Sequence, residues 1–471
     1  DITWSTPNWG QGTLTPGSNY DVRIPSNRKV TNTGTAASKM LHLESASPTE
    51  GSQLINDGGT LTVADKIKVK VTLSDANAWR FVGFPFAVSK VFKADGVTEA
   101  VAGTDYQIAT YNAATRANGQ SGWEAVTEVN TTNPLVAGKG YIVASAADLF
   151  FETASTPTTT AFGASNDAAL SFTTGTGAAN HHGWNFIVSP VVANAFLTLA
   201  EGQFRYVYDG TSYVVDDTSD GTLTEYPFRA FFVKTAAAAD KTFSTDSPSP
   251  APALGPSGSI GKATFYLNNG TSEYSTKIRI NELSTEMYDP AYDAEHLFPF
   301  STAIPQIYTR MDGKSLAINS VPAGTTIPLY LRIPQAGNFT LRWNQQTDDA
   351  LSLYDATTNT TVQLDAATEY NFTVNETGTL SSRFSIHTGT DVTTAQTNTL
   401  SKSIKLHVDG KLLHISGVEC EAMMQLLDIA GRQLVNQLLV DRFEYTLPHA
   451  GVYIVRIVSD KGNKEYKVIV R

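Results

Sequence analysis

Asp289, Asp293 and Glu295 crowd one short turn, and hard oxygen ligands at that density could hold Ca²⁺. Aspartate also occupies turns with no metal, because its carboxylate accepts nearby backbone N–H groups. The chain is therefore read as holding no metal, with these three residues as the calcium candidates. The run Asp216-Asp217-Thr218-Ser219-Asp220-Gly221 is similar to half of a calcium loop. It lacks the distal bidentate Glu and reads as a hairpin turn. His181 and His182 are adjacent, so on a strand they would face opposite ways and chelate one ion poorly. The chain has no His-Glu-x-x-His, no Gly-x-Ser-x-Gly elbow and no Walker-type phosphate loop. Cys420 is the single cysteine. It has no partner for an intramolecular disulfide and reads as a small buried residue. No catalytic residue and no cofactor are expected, and the chain is read as non-enzymatic.

Aromatic side chains offer a second chemistry, the stacking of sugar rings. Trp4, Trp9 and Trp123 sit among Gly, Asn and Ser in expected loops and are the candidate ligand contacts. Trp79 and Trp184 instead head two similar strands and are expected in the core.

The elements that must carry these residues are strands. Short runs alternate apolar and polar residues between Gly, Asn, Asp and Pro turns, the pattern of sheets with one wet face. Residues 1–76 hold several such runs, the clearest from Thr60 to Leu73, and fit a sandwich or the end of a β-helix. Residues 77–246 contain a repeat. Trp79-Arg80-Phe81-Val82-Gly83-Phe84-Pro85 opens one copy (about 79–160), and Trp184-Asn185-Phe186-Ile187-Val188-Ser189-Pro190 opens the other (about 184–245). The spacing puts Trp and Phe on one strand face, and the prolines should end those strands. Residues 247–258 alternate Pro with small residues and predict an extended linker. A sandwich of roughly eight strands is expected over 259–392. Residues 403–471 read as a seven-strand, immunoglobulin-like sandwich that begins with a hairpin at Asp409-Gly410. The fold class is thus all-β, several sandwich modules in tandem.

Composition limits the partners. The 471 residues carry a net charge of −11, which works against nucleic acid and against anionic membrane surfaces. No stretch approaches the roughly 20 apolar residues of a membrane helix. The chain opens at Asp1 without a signal peptide and is read as a mature or trimmed product.

Three blocks near the end carry a resemblance. They are Leu427-Asp428-Ile429-Ala430-Gly431-Arg432, Leu447-Pro448-His449-Ala450-Gly451-Val452-Tyr453-Ile454-Val455-Arg456, and Tyr466-Lys467-Val468-Ile469-Val470-Arg471. In this order and position they resemble the C-terminal sorting domain of the type IX (Por) secretion system of Bacteroidetes. The matching motif residues are Asp428, Gly431, Arg432, Gly451, Tyr453 and Lys467. Taken singly, the glycines are turn residues and Tyr453 a core aromatic. The resemblance implies export across the outer membrane, recognition by the type IX translocon and sorting machinery, and usually cleavage with attachment to surface lipopolysaccharide. The 1–76 segment weakly resembles the terminal coils of right-handed β-helices in long bacterial surface proteins. Residues 259–390, with Tyr288-Asp289-Pro290-Ala291-Tyr292-Asp293-Ala294-Glu295 and Leu353-Tyr354-Asp355, resemble a sandwich common just before such sorting domains.

The expectation that follows is a secreted protein on the outer cell surface with a structural or adhesin-like role. Two alternatives stand beside it. One is a carbohydrate-binding surface protein whose partners are surface glycans or host matrix. The other is the non-catalytic C-terminal part of a larger secreted enzyme.

Overall fold

The computed structural model describes Ile2–Thr3 and residues 17–73, 79–153, 159–200, 202–208, 213–217, 222–246, 261–299, 302–346, 351–365, 367–388, 404–428, 432–459 and 462–470. Trp4, Trp9, Gly431 and the linker 247–258 lie outside the described residues. The protein is all-β, in two compact units: residues 1–256 with 298–301, and residues 257–297 with 302–471.

Unit one starts as a parallel β-helix. Its strands are β1 (Ile2–Thr3), β2 (Val22–Arg23), β3 (Lys29–Asn32), β4 (Thr35–Ser38), β5 (Leu41–Ser47), β6 (Glu50–Gly51), β7 (Gln53–Asn56), β8 (Thr60–Val63) and β9 (Ile67–Val71). Three parallel faces stack: β1-β2-β5-β9, β3-β7 and β4-β8. Alternate residues point inward, so Val22, Leu41, Ile67 and Leu43, Val69 fill the lumen. The corner is held by asparagines in register: the Asn32 side-chain amide donates to Asn56 Oδ1 at 2.6 Å and to the Thr60 carbonyl. Such ladders satisfy buried backbone and amide groups together.

The repeat follows. Its first copy comprises β10 (Arg80–Gly83), β11 (Val88–Phe92), β12 (Gln107–Tyr111), β13 (Trp123–Ala125), β14 (Gly140–Ala144) and β15 (Leu149–Thr153). The second comprises β16 (Ser165–Leu170), β17 (Trp184–Val188), β18 (Ala195–Thr198), β19 (Phe204–Tyr208), β20 (Tyr213–Asp216), β21 (Thr222–Glu225), β22 (Ala230–Lys234) and β23 (Ala239–Ser244). The sheet orders correspond: β10-β14-β12-β13 matches β17-β22-β19-β20, and β9-β15-β11 matches β16-β23-β18. Strand β9 therefore does two jobs. It is the last rung of the β-helix, and it fills the place in the first copy that β16 fills in the second. The expected division at 76/77 falls within this continuous structure, because β15 pairs with β9.

Unit two holds a sandwich and a C-terminal domain. The sandwich strands are β24 (Gly261–Asn268), β25 (Glu273–Ile280), β26 (Ala294–Glu295), β27 (Gln306–Met311), β28 (Lys314–Val321), β29 (Thr326–Ile333), β30 (Gly337–Gln346), β31 (Leu351–Asp355), β32 (Thr360–Gln363), β33 (Glu369–Val374) and β34 (Gly378–Thr388). They run β32-β31-β34-β29-β27-β28-β25-β24-β30-β33, with β26 on β28. The ends fold over one core: Phe372 on β33 meets Phe384 on β34 at 4.8 Å. Trp343 Nε1–H donates to the carbonyls of Leu364 and Ala367, so this large ring is buried without losing its hydrogen bond.

The last domain comprises β35 (Lys405–Asp409), β36 (Leu412–Asp428), β37 (Gln433–Thr446), β38 (Gly451–Ser459) and β39 (Gly462–Val470). Among the described residues this domain has five strands where seven were expected. The reason is that β36 and β37 are long and pass through register shifts instead of ending. The first half of β36 pairs with β35 and its second half with β38, which bends the sheet around Leu413, Ile415, Met424, Leu426, Val455 and Ile457.

Candidate functional site

The three sequence blocks singled out in the C-terminal domain each have a local structural task. Asp428 ends β36, and its backbone N–H donates to the Arg432 carbonyl at 2.9 Å. Its side chain closes the same turn: Oδ1 accepts the Arg432 N–H at 2.9 Å, and Oδ2 accepts Arg432 Nε–H at 3.0 Å. An aspartate followed four residues later by arginine thus clamps the β36–β37 hairpin through two charge-assisted bonds to its carboxylate beside the backbone bond. Gly451 begins β38 at φ 154°, and Tyr453 is buried two residues on. The Tyr453 hydroxyl donates to the His449 carbonyl at 2.8 Å and accepts the His449 N–H at 3.2 Å, tying the strand to the loop before it. Lys467 is exposed on β39, where its Nζ donates to the Glu282 carbonyl of the sandwich at 3.3 Å.

The calcium candidates do not assemble. Asp293 is buried, and both its oxygens are committed: Oδ1 accepts the Ser320 N–H at 2.7 Å and Oδ2 the Asp289 N–H at 2.8 Å. Asp289 Oδ1 accepts the Ala291 N–H. Burial pushes the Asp293 carboxyl up to about 8, against the two N–H donors and Arg279, which pull it down. Among the described residues no group of three His, Cys, Asp or Glu side chains, Glu295 included, is placed to hold an ion. Asp216 of the half-loop is paired instead with Arg205, which also binds Glu225; Arg229 reaches Glu225 at 3.1 Å.

Trp123 stands on a strand and not in a loop. It starts β13 and is half-buried, its ring set 5.2 Å from Tyr111, 5.5 Å from Phe186 and 5.9 Å from Phe232. The placement of its ring has a packing cause. The sheets β10-β14-β12-β13 and β17-β22-β19-β20 meet through one aromatic cluster, and Phe81–Phe186 (4.8 Å) and Tyr111–Phe232 (4.7 Å) lie at its centre. Trp184 is 1% exposed, lies tilted against Tyr206 at 4.9 Å and donates to the Asn180 carbonyl at 2.9 Å, while Trp79 is half-buried.

A groove of about 510 Å³ opens on β24, β30 and β33 of the sandwich. Its centre is a pair of identical tripeptides, Asn338-Phe339-Thr340 and Asn371-Phe372-Thr373, antiparallel and in register. Each asparagine faces the other strand's threonine. Thr340 Oγ1 donates to Asn371 Oδ1 at 2.6 Å, and Thr373 Oγ1 donates to Asn338 Oδ1 at 2.8 Å. The two phenylalanines turn inward and stack at 5.7 Å. The paired bonds fix both amide oxygens, and the Asn371 N–H₂ donates on to Glu369 Oε1 at 3.4 Å. Asn268 and Asn269 complete an uncharged lining rich in donors and acceptors. Sequence reasoning passed over this place, though the repeated Asn-Phe-Thr was a usable signal.

No protein-family model matches the chain, and no curated protein is significantly similar to it.

Proposed function

We propose that the chain is a non-enzymatic cell-surface protein with a structural or adhesin-like role, exported and sorted through its C-terminal domain. The observation that carries this reading is the C-terminal domain itself. The three blocks that resemble a type IX sorting signal fall in one small module, where Asp428 and Arg432 close a hairpin, Tyr453 anchors a strand start and Lys467 lies exposed. Ahead of it lies a series of β-modules, including a β-helix merged with a duplicated unit, an architecture suited to extending or presenting a surface. Deletion of residues 403–471 in the native host should leave the protein in the periplasm. Protease accessibility on intact cells measures this, and normal surface display of the truncated chain would overturn the reading.

The Asn-Phe-Thr groove favours a second reading, a carbohydrate-binding surface protein. Uncharged amides and hydroxyls held in fixed positions match the neutral, hydroxyl-rich chemistry of sugars.

A further inference from the structure

The C-terminal domain places two histidines directly opposite one another. His407 on β35 pairs with His414 on β36, and Glu444 on β37 pairs with His414 from the other side. All three stand on the outward face, since the intervening Leu406, Val408, Leu413 and Ile415 belong to the domain core. The imidazole rings lie nearly parallel, 6.0 Å between centroids and 21° between planes. Glu444 Oε1 lies 3.2 Å from His414 Nδ1.

That last contact matters most. A neutral imidazole that donates Nδ1–H to a carboxylate carries its lone pair on Nε2, so the carboxylate selects the tautomer whose Nε2 can bind a metal. This is the outer-shell arrangement of a metal-ligating histidine. His407 is exposed, and side chains of this kind turn readily between rotamers. Directly opposite Cβ atoms on paired strands are about 4.5–5.5 Å apart, close enough for two Nε2 atoms to reach one ion at about 2.0–2.1 Å each.

We propose that His407 and His414 form a two-histidine site for a divalent transition ion of the zinc class, with Glu444 as the positioning residue that orients His414. Imidazole nitrogens favour Zn²⁺, Cu²⁺ and Ni²⁺ over Ca²⁺ or Mg²⁺. Water fills the remaining positions. Asp409 shares the outward row of β35 and adds negative charge nearby; Lys405, on the same row, opposes it. Because the two ligands belong to different strands, the ion clamps the hairpin that opens the domain. This inference does not depend on how the domain is exported.

The test uses the full chain, stripped with chelator and titrated with zinc chloride by calorimetry, with hydrogen exchange read over residues 405–416. Wild type should take up zinc and gain protection in β35. His407→Gln combined with His414→Gln should lose that site and the protection while keeping the circular dichroism of wild type; this double variant separates the site from other histidines in the chain. Glu444→Gln should weaken zinc binding about 10–100-fold. No uptake by wild type, or uptake and protection unchanged in the double variant, would overturn the site. Affinity unchanged in Glu444→Gln would overturn the role given to Glu444.

Discussion

The duplicated unit depends on two glycines that the repeat does not share. Gly83 and Gly140 are cross-strand partners in the first copy, and Val188 and Ala230 hold the equivalent positions in the second. The absent side chains make room for the other copy. A Cβ at Gly140 would lie 2.7 Å from the Phe186 ring, and one at Gly83 would lie 2.8 Å from Val188 Cβ. Carbon pairs settle at about 3.5–4.0 Å, so Phe186 would have to retreat by about 1 Å. It has little room to do so, because Phe232 stacks on it at 4.4 Å and Phe81 and Trp123 stand at 4.8 and 5.5 Å. Overpacking of this kind costs about 1–3 kcal/mol. Gly140 has no positive φ, so alanine is tolerated by the backbone and regains about 0.4–1 kcal/mol through the unfolded chain. The net expectation for Gly140→Ala is a loss of about 1–2 kcal/mol. Urea unfolding of the full chain, read by hydrogen exchange on peptides from residues 79–246, measures it. Gly34→Ala is the control, since no atom lies within 4 Å of its Cβ position, and it should be neutral or mildly stabilising. Adding Phe186→Leu to Gly140→Ala should recover part of the loss, a coupling of about 1 kcal/mol between touching residues. A neutral Gly140→Ala, or strictly additive effects in the double variant, would refute the account of how the copies meet.

Other consequences follow from the sandwich. The folded-state carboxyl of Asp293 is raised to about 8 from an unfolded value near 3.9, so its contribution to stability is complete at low pH and is lost as pH rises toward 8. Unit two should lose roughly 4 kcal/mol between pH 5 and pH 8 through this group, and Asp293→Asn should flatten that slope, whatever it does to the absolute level; an unchanged slope in urea titrations would remove Asp293 as its source. For the groove, the full chain should bind neutral oligosaccharides on a glycan array, and Asn338→Ala with Asn371→Ala should weaken binding about tenfold or more; no binding by wild type, or equal binding by the variant, would reject the groove as a sugar site.

Much of this architecture could be read from the chain alone, because alternation of residue types reports directly on which strand face is buried. The all-β class, a hairpin at this place (its two turn residues are Gly410 and Lys411, one position beyond the expected Asp409-Gly410) and the strand ends before Pro85 and Pro190 are local consequences of side-chain size, turn geometry and the missing proline donor. The repeated Trp-x-Phe openings likewise indicated two equivalent strands. Alternation does not say what a buried face meets. That Trp123 packs into the other copy's aromatics, that β9 serves both the β-helix and the first copy, and that Asp293 spends both oxygens on backbone donors are all set by contacts between segments far apart in sequence. The same holds for the Asn-Phe-Thr pair and for His407, His414 and Glu444, where the residues are ordinary singly and acquire a chemistry only when strand register sets them side by side.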